Sequence, residues 1–81
     1  MDENELRATV IATLKAIAPE VAESDLRADR PLRSQVDLDS MDWLNFLIGL
    51  HEKLQVDIPE TDYARLVTLG DVLDYLARKL A

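Results

Sequence analysis

The chain has 81 residues, of which 48% are hydrophobic and 31% are charged, and it contains no cysteine. We expect a single domain over residues 1–81 with one modest core, and neither a disulfide nor a thiolate metal site can form. Its 16 acidic and 9 basic residues give a net charge of -7, which argues against nucleic-acid binding. No apolar run approaches the roughly 20 residues of a membrane span, and the N-terminus is acidic, so we expect the cytoplasm, or an organelle matrix if the chain is processed. We also expect a monomer.

The first predicted element is a helix that ends just before Pro19. Asp2 and Glu5 have the spacing of an N-terminal capping box, and the residue before a proline is forced out of helical geometry. Between these signals, apolar residues recur at helical spacing: Leu6, Val10, Ile11, Leu14 and Ile17.

Residues 19–39 predict a long connection that contains a short helical turn. A loop of about 20 residues is unusual in a small domain unless the core holds it in place. Five apolar residues are spaced through it and can provide those contacts: Val21, Leu26, Leu32, Val36 and Leu38.

The second main helix is predicted to run from Ser40 to about Leu54. Its apolar residues are Met41, Trp43, Leu44, Phe46, Leu47, Ile48, Leu50 and Leu54. One helix face cannot bury so many side chains in a domain of this size. Some of them should therefore stay exposed, and exposed apolar clusters usually mark a binding surface.

The last third of the chain predicts two further helices. Pro59 stops the preceding pattern, Glu60 to Leu66 is long enough for one short helix, and Thr68 with Asp71 marks a new N-terminus. The final helix carries apolar residues at Leu69, Val72, Leu73, Leu76 and Leu80. No alternating strand pattern is present, so the predicted fold is an all-α four-helix bundle with three main helices, one short helix and a long first loop.

Ser40 lies where the long loop ends and the second helix begins. A serine at this position has its hydroxyl near free backbone N–H groups and the positive end of the helix dipole. A phosphodiester attached there would be stabilised electrostatically, with Asp39 and Asp42 available for a cationic enzyme to bind. The alternative is that Ser40 or Asp39 only caps the helix.

Three motifs in order resemble the acyl carrier protein family over essentially the whole chain. They are Asp39-Ser40-Met41-Asp42, Ile58-Pro59-Glu60 and Thr68-Leu69-Gly70-Asp71-Val72. The resemblance implies an acyl-carrier-like bundle in which Ser40 carries a 4'-phosphopantetheine group derived from coenzyme A. It also implies a carrier of acyl intermediates for fatty acid, polyketide or other specialised lipid synthesis that catalyses no reaction itself.

The resemblance also implies the partners and the surface that binds them. The partners are a phosphopantetheinyl transferase, which uses coenzyme A and magnesium, and acyl-transferring or acyl-modifying enzymes with basic patches. Asp39 matches the acidic residue that helps the transferase bind, and Met41 stands where the family usually has leucine. The predicted partner-binding residues are Asp39, Met41, Asp42, Trp43 and Ile48.

Several positions depart from the family pattern. Asn45, His51 and Lys53 stand where glutamate is common, and Trp43 replaces a small polar residue. These departures predict a specialised stand-alone carrier rather than the housekeeping carrier of fatty acid synthesis. We expect Trp43 to be partly buried with one face exposed, because tryptophan is rarely buried completely.

Three alternatives remain from the sequence. A small helical interaction module without a prosthetic group and a degenerate carrier acting as a scaffold both fit the exposed apolar surface. A Ser-His hydrolase fits poorly, because His51 lies about 16 Å from Ser40 along the predicted helix, whereas direct proton transfer needs about 3 Å. The acidic residues around Ser40 lack the central glycine and the final glutamate of a calcium loop, so no metal site is predicted.

Overall fold

The computed structural model describes all 81 residues and contains helices but no strand. Its α-helices are α1 (Glu3–Ile17), α2 (Leu32–Gln35), α3 (Ser40–Leu54) and α4 (Leu69–Leu80), with 3-10 segments at Glu23–Asp25 and Glu60–Arg65. The all-α prediction with three main helices is confirmed. The short helix before α4 is a 3-10 helix, and the long first loop contains α2 as its helical turn. None of the helices is both long enough and apolar enough to span a bilayer.

Local side-chain contacts set the ends of α1 and α4 as the sequence predicts. The Asp2 carboxylate accepts a hydrogen bond from the Glu5 backbone N–H at 2.8 Å. Ala18, directly before the proline, leaves helical geometry with φ -126° and ψ 81°. At α4 the Thr68 hydroxyl accepts from the Asp71 N–H and the Asp71 carboxylate accepts from the Thr68 N–H, which completes a capping box.

A single hydrophobic cluster of 19 buried residues holds the helices together. Helix α1 packs against both α3 and α4. Gly49 permits a close approach of α1 to α3, because a Cβ atom there would lie 2.9 Å from the Thr13 side-chain methyl group. The core is therefore built mainly around the contact between α1 and α3.

The long first loop is fixed by the core and by hydrogen bonds. Of the five apolar residues that were predicted to hold it, four are buried and Leu26 is half-buried. The Gln35 side chain accepts from the Arg27 N–H at 2.7 Å and donates to the Arg27 and Arg30 carbonyl oxygens at 2.9 and 3.0 Å. The Leu32 N–H donates to the Val67 carbonyl at 2.9 Å, which ties α2 to the segment before α4.

A hydrogen bond between two side chains ties the 3-10 helix at 60–65 to α4. The Tyr75 hydroxyl donates to the Asp62 carboxylate at 2.6 Å, and the Arg65 guanidinium lies 4.0 Å from the same carboxyl group. Tyr75 and Tyr63 are both half-buried at the edge of the core, which suits amphipathic side chains. No residue of this 3-10 helix is fully buried, so the Tyr75–Asp62 contact is one of few that hold it.

We expect Tyr75 to titrate at high pH. Burial of its hydroxyl, followed by the hydrogen bond to Asp62 and the negative charge of that carboxylate, raises the pKa of Tyr75 from 10 to about 12. In a Tyr63→Phe background, which leaves one tyrosine, the phenolate absorbance should show a midpoint near 12. A midpoint near 10 in the folded protein would contradict the assigned contact.

The same shift predicts how stability depends on pH. Since the folded-state pKa of Tyr75 is higher than the unfolded value, its contribution is fully present below pH 10 and is lost as pH rises through 12. Between pH 9 and pH 11, the free energy of unfolding measured with urea should fall less for Tyr75→Phe than for the wild type. Asp62→Ala should lower the Tyr75 midpoint only part of the way, because burial is the largest cause of the shift.

Candidate functional site

The side chain that caps α3 is that of Asp39, and this leaves the hydroxyl of Ser40 free. The Asp39 carboxylate accepts a hydrogen bond from the Asp42 backbone N–H at 2.8 Å. Ser40 is the first residue of α3, its side chain is exposed, and its Oγ takes part in none of the side-chain hydrogen bonds of the chain. Asp39 therefore caps the helix, and its neighbour Ser40 keeps a free hydroxyl.

The surroundings of the Ser40 hydroxyl fit an attached phosphodiester. As the first two residues of a helix, Ser40 and Met41 have backbone N–H groups without an intrahelical acceptor, and no other group of the chain accepts from them. The Arg33 Nε donates to the carbonyl oxygen of Leu38, two residues before Ser40, at 3.4 Å. Asp39 contributes an opposing negative charge. The free N–H groups and the helix dipole favour an anion at this position.

An apolar stripe runs along α3 beside Ser40. Met41 is 66% exposed, Leu44 38% and Ile48 41%, and their spacing of three and four residues places them on one face. The same helix turns Phe46, Leu47, Leu50 and Leu54 into the core. The prediction that part of this apolar surface stays exposed is confirmed. Leu44 is not among the predicted partner-binding residues, although it lies between Met41 and Ile48 on this stripe.

The other predicted partner-binding residues differ in their exposure. Asp39 is exposed, whereas Asp42 and Trp43 are half-buried. The Trp43 ring packs against that of Phe46, with centroids 5.3 Å apart and planes tilted by 38°. Partial burial of Trp43 is thus confirmed, and its inner face belongs to the core.

The only histidine has a structural contact at the far end of α3. The His51 ring donates from Nδ1 to the carbonyl oxygen of Val56 at 2.6 Å. This bond spans Gln55, which ends the helix in the left-handed conformation with φ 54°. No group of three or more histidine, aspartate or glutamate side chains is arranged to hold a metal ion.

Comparison with known proteins decides the family. Residues 5–76 match the family model described as a phosphopantetheine attachment site. Over 71 residues the chain is 31% identical to the acyl carrier protein of Acidothermus cellulolyticus, covering 84% of each protein. The chain belongs to the acyl carrier protein family. Its similarity to the Chlamydia trachomatis serovar D acyl carrier protein is 29% identity over 77 residues, covering 95% of this chain and 94% of the relative.

A eukaryotic acyl carrier protein is also similar. The mitochondrial acyl carrier protein of Saccharomyces cerevisiae is 25% identical over 80 residues, which is 95% of this chain but only 64% of the yeast protein. Carrier proteins of this family bear acyl groups on a covalently attached 4'-phosphopantetheine group. The predicted carrier function and cofactor are therefore confirmed at the level of the family. Family membership also implies contact with a phosphopantetheinyl transferase and with acyl-handling enzymes.

Proposed function

We propose that Ser40 Oγ is the attachment atom of this carrier and that residues 1–81 act as one carrier domain. The observation that supports this most directly is the exposed Ser40 hydroxyl, which makes no hydrogen bond at the start of α3 while Asp39 caps the helix. When attached, the prosthetic group supplies a thiol that carries acyl groups as thioesters. Ser40 fixes the point from which they are presented, and the free N–H groups of α3 stabilise the phosphodiester.

We propose that partner enzymes bind the face of α3 next to this point. Met41, Leu44 and Ile48 provide an exposed apolar stripe, and Asp39 provides a charge at the end nearest Ser40. An acidic chain with a net charge of -7 attracts enzymes that have basic patches, and this speeds their encounter. The apolar stripe then contributes affinity once the complex has formed.

The chain itself is proposed to catalyse no reaction. His51 is the only histidine, its Nδ1 is committed to the Val56 carbonyl, and it lies eleven residues beyond Ser40 on α3. At 1.5 Å per residue the separation along the axis is about 16 Å, too far for direct proton transfer. The predicted cytoplasmic location and monomeric state stay predictions.

We further propose that the carrier is specialised. Asn45, His51 and Lys53 are all exposed on α3, so the positions that are commonly glutamate in the family lack negative charge on the accessible surface. Trp43 adds an aromatic ring three residues after Ser40. A condensing enzyme of general fatty acid synthesis should therefore use this carrier less well than its own, and equal kcat/KM for the two carriers would contradict specialisation.

Intact-mass measurement tests the attachment. Incubation of the chain with a broad-specificity phosphopantetheinyl transferase, magnesium and coenzyme A should add the mass of one phosphopantetheine group. Peptide mapping should place the added mass on the peptide that contains Ser40. No gain under conditions that fully modify a control carrier would refute the proposal and favour an interaction module or a degenerate carrier.

The charge of Asp39 should matter to the transferase independently of its capping role. Asp39→Asn keeps a good N-cap side chain but removes the charge, so kcat/KM for modification should fall about five-fold, as expected for roughly 1 kcal/mol of a surface charge interaction. The free energy of unfolding should change little. Asp39→Ala also removes the cap and should lower the free energy of unfolding by about 1 kcal/mol.

The matched control for charge is Asp74→Asn, which neutralises an exposed acid on α4. It should leave the rate of modification nearly unchanged. Equal rates for Asp39→Asn and the wild type would show that the carboxylate of Asp39 only caps α3.

A further inference from the structure

The long first loop forms a surface groove between residues 20–26 and residues 35–37, which we call the loop groove. Its volume is about 250 Å³. Half of its eight lining residues are hydrophobic: Val21, Ala22, Leu26 and Val36. Three others carry a carboxylate: Glu20, Asp25 and Asp37. No basic residue lines the groove, so it combines apolar surface with a purely negative charge.

The three carboxylates of the loop groove are free to meet a cation from outside the chain. All three are exposed, and none takes part in an ion pair. Two arginines at this loop are held by other acids: Arg7 pairs with Glu23 at 3.4 Å, and Arg27 pairs with Asp29 at 3.3 Å. The chain therefore leaves the charge of the groove uncompensated.

Hydrogen bonds and core contacts hold the walls of the loop groove in place. The Gln35 side chain joins the two walls, because it accepts from the Arg27 N–H at 2.7 Å and donates to the Arg27 carbonyl at 2.9 Å. Val21 and Val36 are buried in the hydrophobic core. A groove that is already formed loses less conformational entropy on binding than a mobile loop does.

The apolar surface and the negative charge together fit the side chain of a lysine or an arginine. These side chains lay their methylene stems along apolar surface while the charged head stays in water. A cavity of about 150 Å³ can bind benzene, so about 250 Å³ has room for such a side chain. No three acidic or histidine side chains are arranged to hold a metal ion. A cation with an apolar stem therefore fits the loop groove better than a metal ion does.

The loop groove lies close to Ser40. Asp37 is three residues before Ser40, and three residues of chain span at most about 11 Å. An interface of standard size covers about 800 Å² on each protein, which corresponds to a disc of about 16 Å radius. An enzyme that reacts with the Ser40 hydroxyl has to cover the surface around that atom, so its interface reaches the Asp37 wall of the groove. Enzymes that act on the thioester at the far end of the arm need not cover it.

We propose that the loop groove binds a lysine or arginine side chain of the phosphopantetheinyl transferase. This inference rests on the proposed attachment at Ser40. It gives the transferase a contact of its own, separate from Asp39 and from the exposed stripe of α3.

The rate of phosphopantetheine transfer tests the charge of the loop groove. Glu20→Gln/Asp25→Asn removes two carboxylates and keeps the size of both side chains. With a broad-specificity transferase, magnesium and coenzyme A, kcat/KM should fall about five-fold, mainly through KM, because each exposed ion pair contributes little. At about 1 M salt the difference from the wild type should nearly disappear, since charges are then screened within about 3 Å.

The matched control for charge is Glu3→Gln/Asp74→Asn. It removes the same number of charges from another apolar groove, which lies between α1 and α4 and has a volume of about 310 Å³. Its kcat/KM should stay within about two-fold of the wild-type value, because only the general attraction by net charge is reduced. Equal losses in the two double variants would overturn the proposal and leave attraction by net charge as the whole effect.

Ala22→Leu tests the apolar surface with all three carboxylates in place. Ala22 is exposed and lines the loop groove, so a leucine there occupies space that the stem of the bound side chain needs. The kcat/KM of this variant should fall as much as that of Glu20→Gln/Asp25→Asn, whereas Ala22→Ser should match the wild type. Circular dichroism confirms that each variant is folded. An unchanged rate in folded Ala22→Leu would overturn binding in the groove, and absence of any mass gain in the wild type would instead refute attachment at Ser40.

Discussion

Replacing Ser40 by alanine is expected to abolish phosphopantetheine attachment completely and to leave the fold intact. The loss is complete because the hydroxyl oxygen is the atom that would bond to phosphorus. Stability should change by less than about 0.5 kcal/mol, because Ser40 is exposed, Asp39 provides the cap and alanine is a good helix former. Intact mass measures the first effect and urea unfolding of the unmodified protein measures the second.

Ser34→Ala is the matched control for Ser40→Ala. Ser34 is also exposed and helical, but its hydroxyl donates to the Pro31 carbonyl at 2.8 Å. This variant should accept the prosthetic group at the wild-type rate. A mass gain that persists in Ser40→Ala would show that another residue is modified. A large loss of stability in Ser40→Ala would show that its side chain has a structural role that the geometry does not reveal.

The free hydroxyl of Ser40 illustrates what the sequence could predict about the site. The pattern placed Ser40 at a helix start and a carboxylate on each side of it, because capping signals are local in sequence. It did not decide whether Ser40 or Asp39 caps the helix, since both residue types serve this role equally well. Only the geometry, with Asp39 bonded to the Asp42 N–H, separates the two functions.

The sequence predicts that α3 keeps part of its apolar surface exposed, but it does not predict which apolar residues are exposed and which are buried. Apolar residues occur around most of α3, so periodicity alone cannot identify its buried face. The structure buries Leu47 and exposes Leu44, because the close contact at Gly49 fixes which side of α3 faces α1. This contact depends on Thr13, which is distant from Gly49 in sequence, and no sequence pattern indicates that the two residues meet.

The contacts that fix the long first loop could likewise be predicted only in part. Its apolar residues indicated contact with the core, and they are buried or half-buried as expected. The bonds from Gln35 to the Arg27 and Arg30 backbone could not be predicted, because an amide side chain has many possible partners. A surface groove lined by Trp43, Tyr63 and Val67 likewise depends on how the segment before α2 and the 3-10 helix at 60–65 are placed, which local sequence pattern does not specify.

Replacing Phe46 by alanine is expected to lower the free energy of unfolding by about 3–5 kcal/mol. Phe46 has no exposed surface, and its removal leaves a cavity under the Trp43 ring. Chains of 81 residues have total stabilities on the order of 4–12 kcal/mol, so this loss would leave a marginally folded protein. Urea unfolding followed by circular dichroism measures the loss, and the fluorescence of Trp43 should shift to longer wavelength as water reaches its inner face.

The matched control is Leu44→Ala on the same helix, which removes an apolar side chain that is 38% exposed. It should cost about 1 kcal/mol, well below the cost of Phe46→Ala, because a partly exposed side chain has less apolar surface removed from water than a fully buried one and alanine favours the helix. The two variants also separate stability from recognition. Leu44→Ala should weaken partner binding through the exposed stripe at nearly native stability, whereas Phe46→Ala should weaken every function through unfolding. Equal losses of stability in the two variants would show that the buried and exposed faces of α3 are assigned incorrectly.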